Sequence, residues 1–231
     1  MDNSLNLYAK IEDLLGVSEV APILYSNYFR TLENIEFSSL LDIGCGRGEF
    51  LEKLYRVYPT KEFLGIDLSS TMVNIAKSRG VNAKCLSIDE IDRSFDIITA
   101  VFDMINYLEF DKLAPFLKSV ENRLNSGGYF ICDINSYYAF SDLAVGSYIR
   151  DDNSRFVTVD SFFERDIYYS EFTLFEKLEN DIFKKSQESI SQYYYEVDDL
   201  VKSTSLKLIK SSGVSVYTDE IEKHYLIFRK V

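Results

Sequence analysis

The apolar positions of this chain follow two rhythms. From residue 37 to residue 135, short apolar runs alternate with stretches in which apolar side chains recur every three or four positions. The runs read as buried strands and the recurring stretches as amphipathic helices. Strands are predicted at Phe37 to Asp42, Lys61 to Asp67, Ala83 to Ile88, Phe95 to Asp103 and Tyr129 to Ile134. Three helical stripes separate them: Phe50, Leu51, Leu54, Tyr55 and Tyr58; Met72, Val73 and Ala76; and Leu113, Phe116, Leu117, Val120 and Leu124. Pro59 stops the first helix. Ser69 and Ser70 cap the second and Gly80 ends it, while Asp111 is the expected cap of the third and Asn125-Ser126-Gly127-Gly128 its stop. Strand and helix in alternation predict an α/β domain with a parallel sheet.

The flanks behave differently. Ahead of the first strand, Tyr8, Ile11, Leu14 and Leu15 form one stripe and Ile23, Leu24, Tyr28 and Leu32 another, so two helices are expected, with Pro22 near the break. Their plain role is to cover the sheet. From Tyr137 to Tyr195 the strand–helix alternation stops, and 15 of the 34 Phe and Tyr residues lie there. Phe156 to Phe163, Ile167 to Leu178 and Asp181 to Gln192 read as consecutive antiparallel strands, with turns at Arg165-Asp166 and Glu179-Asn180-Asp181. Polar residues are mixed through them, so one side is expected to face water. A helix at Val197 to Val201 and a hairpin of Leu206 to Tyr217 with Lys223 to Phe228 close the chain. The expected organisation is a single domain over 1–231: a helical cover at 1–36, a core of 37–146 plus 196–231, and an antiparallel insert at 147–195.

Charge and cysteines narrow the class. Lys and Arg total 25 against 37 Asp and Glu, a net charge of −12. Nucleic-acid affinity rests largely on neutralising phosphates, so no nucleic-acid partner is expected. No apolar run is long enough to span a bilayer, and no basic-then-apolar leader opens the chain, so no membrane partner is expected either. Cys45, Cys85 and Cys132 are odd in number and scattered, without metal spacing; they read as reduced thiols of a cytoplasmic protein.

The candidate chemistry begins where the first strand breaks into Asp42-Ile43-Gly44-Cys45-Gly46-Arg47-Gly48. A glycine turn between strand and helix leaves backbone bare at the carboxyl edge of the sheet, where a ligand can approach helix N–H groups. A dinucleotide turn reads G-x-G-x-x-G, whereas here the third glycine comes one residue early. Asp67 ends the next strand about 20 residues on, where such folds place an acid that accepts from two ribose hydroxyls.

This pattern resembles motif I, and the acid that follows it, of class I S-adenosylmethionine (SAM) dependent methyltransferases. The resemblance spans the chain as a fold pattern and is specific at Asp42 to Gly48 and at Asp67. Asp133-Ile134-Asn135-Ser136-Tyr137-Tyr138, followed by an antiparallel insert, is similar to bacterial small-molecule methyltransferases related to sugar N,N-dimethyltransferases. The implied fold is a seven-stranded Rossmann-like sheet, mostly parallel with its last strand antiparallel, carrying an antiparallel β insert after strand five. The implied cofactor is SAM. Its contacts map to Asp42, Gly44, Cys45, Gly46 and Gly48 in the turn, and to Asp67, Leu68 and Met72 after the second strand. Ser87 and Ile88 follow the third strand, and Phe102 and Asp103 the fourth. The family's acid for the adenine amino group falls on Ser87 or Asp89, in a short loop that leaves both open. The cleft between cofactor and acceptor puts Asp103, Asn106 and Tyr107 forward as catalytic candidates. The N-terminal helices would close over the cofactor, with Tyr8 a candidate contact.

The implied reaction is methyl transfer to O or N of a small-molecule acceptor by in-line displacement. A sulfonium methyl is already activated, so alignment and exclusion of water are the main tasks, with a base needed only for a protonated acceptor. A protein or RNA acceptor is the alternative within the class. Outside it stand a non-catalytic SAM-binding protein and a nicotinamide oxidoreductase, the latter opposed by the early Gly48. His224, the only histidine, is read as structural because it falls in the last strand, away from the carboxyl edge of the parallel strands. Tyr193-Tyr194-Tyr195 is read as a hinge anchored in the core. The insert is expected to govern the acceptor as a lid, to form a homodimer surface, or both.

Overall fold

The computed structural model describes residues 4–179 and 182–231. After helices α1 (Ser4–Ile11) and α2 (Val17–Leu32), the core runs β1 (Ser39–Ile43), α3 (Glu49–Val57), β2 (Glu62–Asp67), α4 (Ser70–Ser78), β3 (Ala83–Cys85), β4 (Phe95–Ala100), α5 (Leu113–Arg123) and β5 (Leu124–Asn135). The chain then leaves for β6 (Gly146–Asp151), β7 (Arg155–Glu164), β8 (Ile167–Lys177) and β9 (Phe183–Tyr193). It returns through α6 (Val197–Lys202) to β10 (Lys207–Val214) and β11 (Lys223–Arg229).

Seven strands form the main sheet in the order β10-β11-β5-β4-β1-β2-β3. β1 is parallel to both β2 and β4, and β11 runs antiparallel to β5 and β10. Strand order reverses between β1 and β4, the place where open α/β sheets leave a crevice beyond their carboxyl ends. Both faces are covered, which is why the strands read as continuous apolar runs. Leu40, Phe63 and Ile97 point to the side packed by α2, α3 and α4, while their neighbours Leu41, Leu64 and Ile98 point to α5 and α6. The second sheet is antiparallel, in the order β6-β7-β8-β9.

Several sequence expectations shift. Pro22 does not break the N-terminal helices; it stands inside α2, which already begins at Val17. The buried face is Ala21, Leu24, Tyr25, Tyr28 and Leu32, and Ile23 points outward. Proline there gives up one backbone bond near the helix start, and the buried face holds the helix together. The third strand ends at Cys85 instead of Ile88, because Ser87 and Glu90 form a capping box that turns Ile88–Glu90 into a single helical turn. β4 stops at Ala100, and Phe102 and Asp103 follow with φ of 58° and 48°. Asp111 caps nothing: Lys112 holds the cap position of α5, and Asp111 pairs with its ammonium at 3.0 Å. Asn125 to Gly128 does not stop α5 as a loop but lies inside β5, across a register shift against β4, with Asn125 Nδ2 donating to Asp96 at 2.8 Å.

The insert has four strands, one more than expected. β6 went unread because its Ser147, Arg150 and Asp151 break the apolar alternation. The Arg165-Asp166 turn is present, both residues with positive φ as a two-residue hairpin requires. Asn180 and Asp181 of the other turn lie outside the described residues. The insert is strapped to the N-terminal segment: Arg155 donates to Lys10 O at 2.7 Å and to Asp13 Oδ2 at 2.7 Å, and Tyr148 donates to Leu14 O at 3.0 Å. Leu7 and Ile11 of α1 pack with Val157, Phe172, Leu174 and Ile190 of the insert.

Candidate active site

The turn after β1 is stapled to β2: Gly44 N and Cys45 N both donate to Ile66 O, at 2.8 and 3.0 Å. That brings Asp67 under the loop. One of its oxygens accepts from Gly46 N at 2.9 Å and the other from Ser69 N at 2.8 Å. The backbone N–H of Leu68 bonds the carboxylate as well, so the group is fixed in direction while its two oxygens, with about four acceptor positions between them, can still accept from a ligand. Gly46 has φ of 51°, and a Cβ built on it would meet nothing within 4 Å. The space is the cavity itself, a cradle that a side chain would fill. Gly48 serves packing instead: its Cβ would lie 2.9 Å from Ala76 Cβ on α4.

A cavity of about 1210 Å³ runs from this loop to the inner face of the insert. It brings together nearly all the sequence-predicted cofactor residues. Asp42, Gly44, Cys45 and Gly46 line its floor, and Asp67, Leu68 and Met72 one end. Ser87, Ile88 and Asp89 lie at that end too, with Phe102 and Asp103 on the opposite side. Gly48 does not line it. The Ser87 hydroxyl donates to Glu90 and Asp89 accepts from Ser119 Oγ, so each keeps acceptor capacity toward the cavity.

Asp42 is buried and accepts from Thr99 Oγ1 at 2.7 Å. Burial raises its pKa from 3.8 to about 7, and burial raises Asp67 as well. The sign follows from the proton count. The folded chain binds the Asp42 proton more tightly than the unfolded chain, so the contribution of Asp42 to stability is highest below pH 4, falls as pH rises and levels off above about 7. Asp42→Asn keeps the acceptor for Thr99 and removes the buried charge. It is expected to stabilise the free protein by a few kcal/mol at pH 8 and not at pH 4, as read by thermal melts at the two pH values. An equal shift at both would show that charge is not the cause.

At the exit of β4 the left-handed pair Phe102–Asp103 is held by one carboxylate. Asp133, fully buried on β5, accepts from Phe102 N and Asp103 N, both at 2.9 Å, and from Tyr28 Oη at 2.7 Å. Asp103 then faces the cavity between two partners. Lys223 Nζ bonds one of its oxygens, and Gln192 Nε2 of β9 donates to the other at 2.6 Å. Lys223 also donates to Asn135 Oδ1 at 2.7 Å and pairs with Asp133 at 3.3 Å. Burial works against the Lys223 charge, yet Asp103 and Asp133 outweigh it and hold its pKa above the ordinary value.

Sequence reasoning missed Lys223. The signal was the direction of the last strand. β11 is antiparallel, so it begins where β5 ends, with Lys223 opposite Asn135 at the carboxyl edge. This also corrects the reason given for His224. It sits opposite Ile134 near that edge, and it stays out of the cavity because adjacent strand residues face opposite sides. Burial lowers its pKa, so it is neutral at pH 7.

Asn106 and Tyr107 divide. Tyr107 lines the cavity beside Tyr8 and Gln192. Asn106 does not: it is fully buried, its amide donating to Tyr193 O at 2.8 Å and its carbonyl accepting from Asn135 N at 2.9 Å. The insert supplies the far wall through Val159, Ser161, Tyr168, Ser170 and Phe172, with Tyr8 packed edge-on against Phe172 at 6.0 Å. Of the three consecutive tyrosines, Tyr195 is buried and donates to Leu108 O at 2.7 Å, Tyr194 meets Tyr137 edge-on, and Tyr193 reaches the cavity.

Residues 40–128 match a family model described as a methyltransferase domain. A solved SAM-dependent methyltransferase from Clostridium acetobutylicum is 26% identical, with a TM-score of 0.78 over 98% of this chain and 99% of that one. The sugar N-methyltransferase KedS8 from Streptoalloteichus is 17% identical, with a TM-score of 0.75 over 98% of this chain and 93% of its own, a likeness of fold. The mitochondrial ubiquinone biosynthesis O-methyltransferase of Saccharomyces cerevisiae is 32% identical over 108 residues, 42% of this chain and 34% of that protein. The chain spans about half or less of the length of the curated relatives it matches first, from 34% to 51%.

Proposed function

Because the chain belongs to the class I SAM-dependent methyltransferases, we propose that it transfers a methyl group from SAM to an oxygen or nitrogen of a small-molecule acceptor. One observation carries this reading: a single cavity joins the glycine loop and Asp67 to the wall formed by β7, β8 and β9. The open space over Gly46 and the acceptor capacity left on Asp67 fit the cofactor, whose sulfonium supplies an already activated methyl group. Asp67 would accept from the ribose hydroxyls, and the bare Gly46 backbone would lie under the methionine portion. Asp42 and Asp67 are raised by burial, so a cation over the loop would favour their charged forms.

The remaining residues orient the acceptor and keep water out. Phe172, Tyr8 and Tyr168 offer apolar surface, and Asp103, Tyr107 and Gln192 offer polar anchors beside it. Asp103, held by Lys223 and Gln192, can accept a hydrogen bond from an acceptor hydroxyl or amine. The insert would therefore govern the acceptor while the first half of the chain governs the cofactor. A net charge of −12 favours a small acceptor over RNA.

The test is to incubate the protein with methyl-labelled SAM and separate metabolite, protein and RNA fractions of a cell extract. Label is expected among the metabolites, and label confined to protein or RNA would overturn the acceptor class. Asp67→Ala is expected to weaken SAM binding by about 1.5–3 kcal/mol, the scale of hydrogen bonds to a charged group. Unchanged affinity by calorimetry would remove Asp67 from the cofactor site.

A further inference from the structure

Lys223 has nothing left to offer an anion. Its ammonium carries three N–H groups, and three oxygens surround it: Asp103 Oδ1, Asn135 Oδ1 at 2.7 Å and Asp133 Oδ2 at 3.3 Å. Among the described residues that line the cavity, eight are acids and three are cations, Arg47, Lys112 and Lys223. Arg47 belongs to the glycine loop, and Lys112 precedes α5 and is paired with Asp111. An acidic acceptor therefore meets no available cation beside Asp103.

The charge count around Lys223 is uneven. Asp103 and Asp133 bring two negative charges and Lys223 one positive, so one negative charge remains. Asp133 cannot present it, because its side chain is 0% exposed and already accepts from Phe102 N, Asp103 N and Tyr28 Oη. Asp103 can. Its side chain is 17% exposed and lines the cavity, and each of its oxygens has a single side-chain partner, Lys223 or Gln192. A buried charge in excess calls for a cation opposite it.

Proton chemistry points the same way. The phenols around Asp103 are Tyr8, Tyr107 and Tyr168; burial pushes all three up, so they keep their protons. His224 stays out of the cavity. What remains is carboxylate, which ordinarily titrates near about 4 and is too weak to take the proton of an alcohol. An amine needs no such base, because part of it is already unprotonated near neutral pH.

We propose that the acceptor atom is an amine nitrogen, that Asp103 is the carboxylate that receives it, and that the saturated Lys223 leaves acidic acceptors unbound. This rests on the methyltransferase reading and narrows its acceptor from oxygen or nitrogen to nitrogen. The proton of an ammonium acceptor is released to solvent, and the freed lone pair forms the N–C bond. The C–S bond breaks and its electron pair stays on sulfur. Positive charge thus passes from sulfur to nitrogen, and the fixed negative charge keeps a counter-ion throughout. An oxygen acceptor would end neutral and leave that charge bare.

Binding is tested first, with S-adenosylhomocysteine saturating the cofactor end. Three probes of one shape, cyclohexylamine, cyclohexanol and cyclohexanecarboxylate, are titrated by ligand-observed NMR at neutral pH. The amine is expected to bind at least tenfold tighter than the alcohol, and the carboxylate more weakly than either. In Asp103→Asn, whose folding a melting curve checks, the preference for the amine should shrink below threefold. No preference in wild type, or an undiminished one in the folded variant, would overturn the proposal. The second readout needs no variant: the product formed from methyl-labelled SAM and cell extract. Label that a cation-exchange resin retains at neutral pH and that alkali does not release is the expected amine. Label released by alkali as methanol marks an ester, and unretained, alkali-stable label marks an ether. Either would overturn the amine and leave the methyltransferase reading standing. Wild type that neither binds S-adenosylhomocysteine nor labels any fraction would overturn that reading and this inference with it.

Discussion

Gly46→Val is expected to reduce SAM affinity by at least a hundredfold while the protein stays folded. The side chain would enter empty space, since nothing lies within 4 Å of a Cβ at this position. In the free protein the added Cβ therefore meets no clash, and the γ-methyls enter the cavity side, which leaves mainly the strain of a β-branched residue at φ of 51°. That strain is on the order of 1–2 kcal/mol, well within what a folded domain tolerates. With ligand present, two methyl groups would stand where the bare backbone has to be approached. They would also disturb the Gly46 N–H that holds Asp67. Gly46→Ala separates the two effects: it carries most of the backbone strain and only a third of the added carbon. Alanine should lose much less affinity than valine at a similar melting temperature. A folded valine variant that titrates normally with SAM would remove the loop from the cofactor site.

What the sequence made legible was local in the chain. Gly44, Gly46 and Asp67 sit within 23 residues of one another, and strand, turn and helix leave few ways to arrange them. The helix caps at Ser69 and Gly80 were equally local and stand as read. Ser87 was harder, because its capping box with Glu90 competes with the apolar run around it. Lys223 could not be placed from the expected antiparallel direction of the last strand alone, because its register, opposite Asn135 almost 90 residues away, is a fact of the folded sheet. Asp133 posed the same difficulty. Its acid could be seen near a strand end, but its grip on Phe102 N and Asp103 N depends on β4 and β5 being neighbours.

The second large effect belongs to Asn106, where Ala is expected to cost stability and leave the chemistry in place. The sequence put this residue among the catalytic candidates, since it follows the exit of β4. In the structure its side chain is fully buried and joins two backbones. Its amide holds Tyr193 O, at the end of β9, and its carbonyl holds Asn135 N, at the end of β5. Removing it leaves both backbone groups unpaired and opens a small void. Each unsatisfied buried group costs about 1–3 kcal/mol, so the sum is about 2–6 kcal/mol. For a chain of this size the melting temperature should fall by about 4–24 °C. Asn106→Asp tests the same brace more finely. A carboxylate can still accept from Asn135 N but has no proton to give Tyr193 O, and its charge is buried. It should therefore be destabilised too, and more at pH 8 than at pH 5. SAM affinity, measured well below the melting temperature, should stay within a few fold of wild type in both variants, because Asn106 does not line the cavity. A variant with wild-type melting behaviour and abolished methyl transfer would reverse the assignment and return Asn106 to the reaction itself.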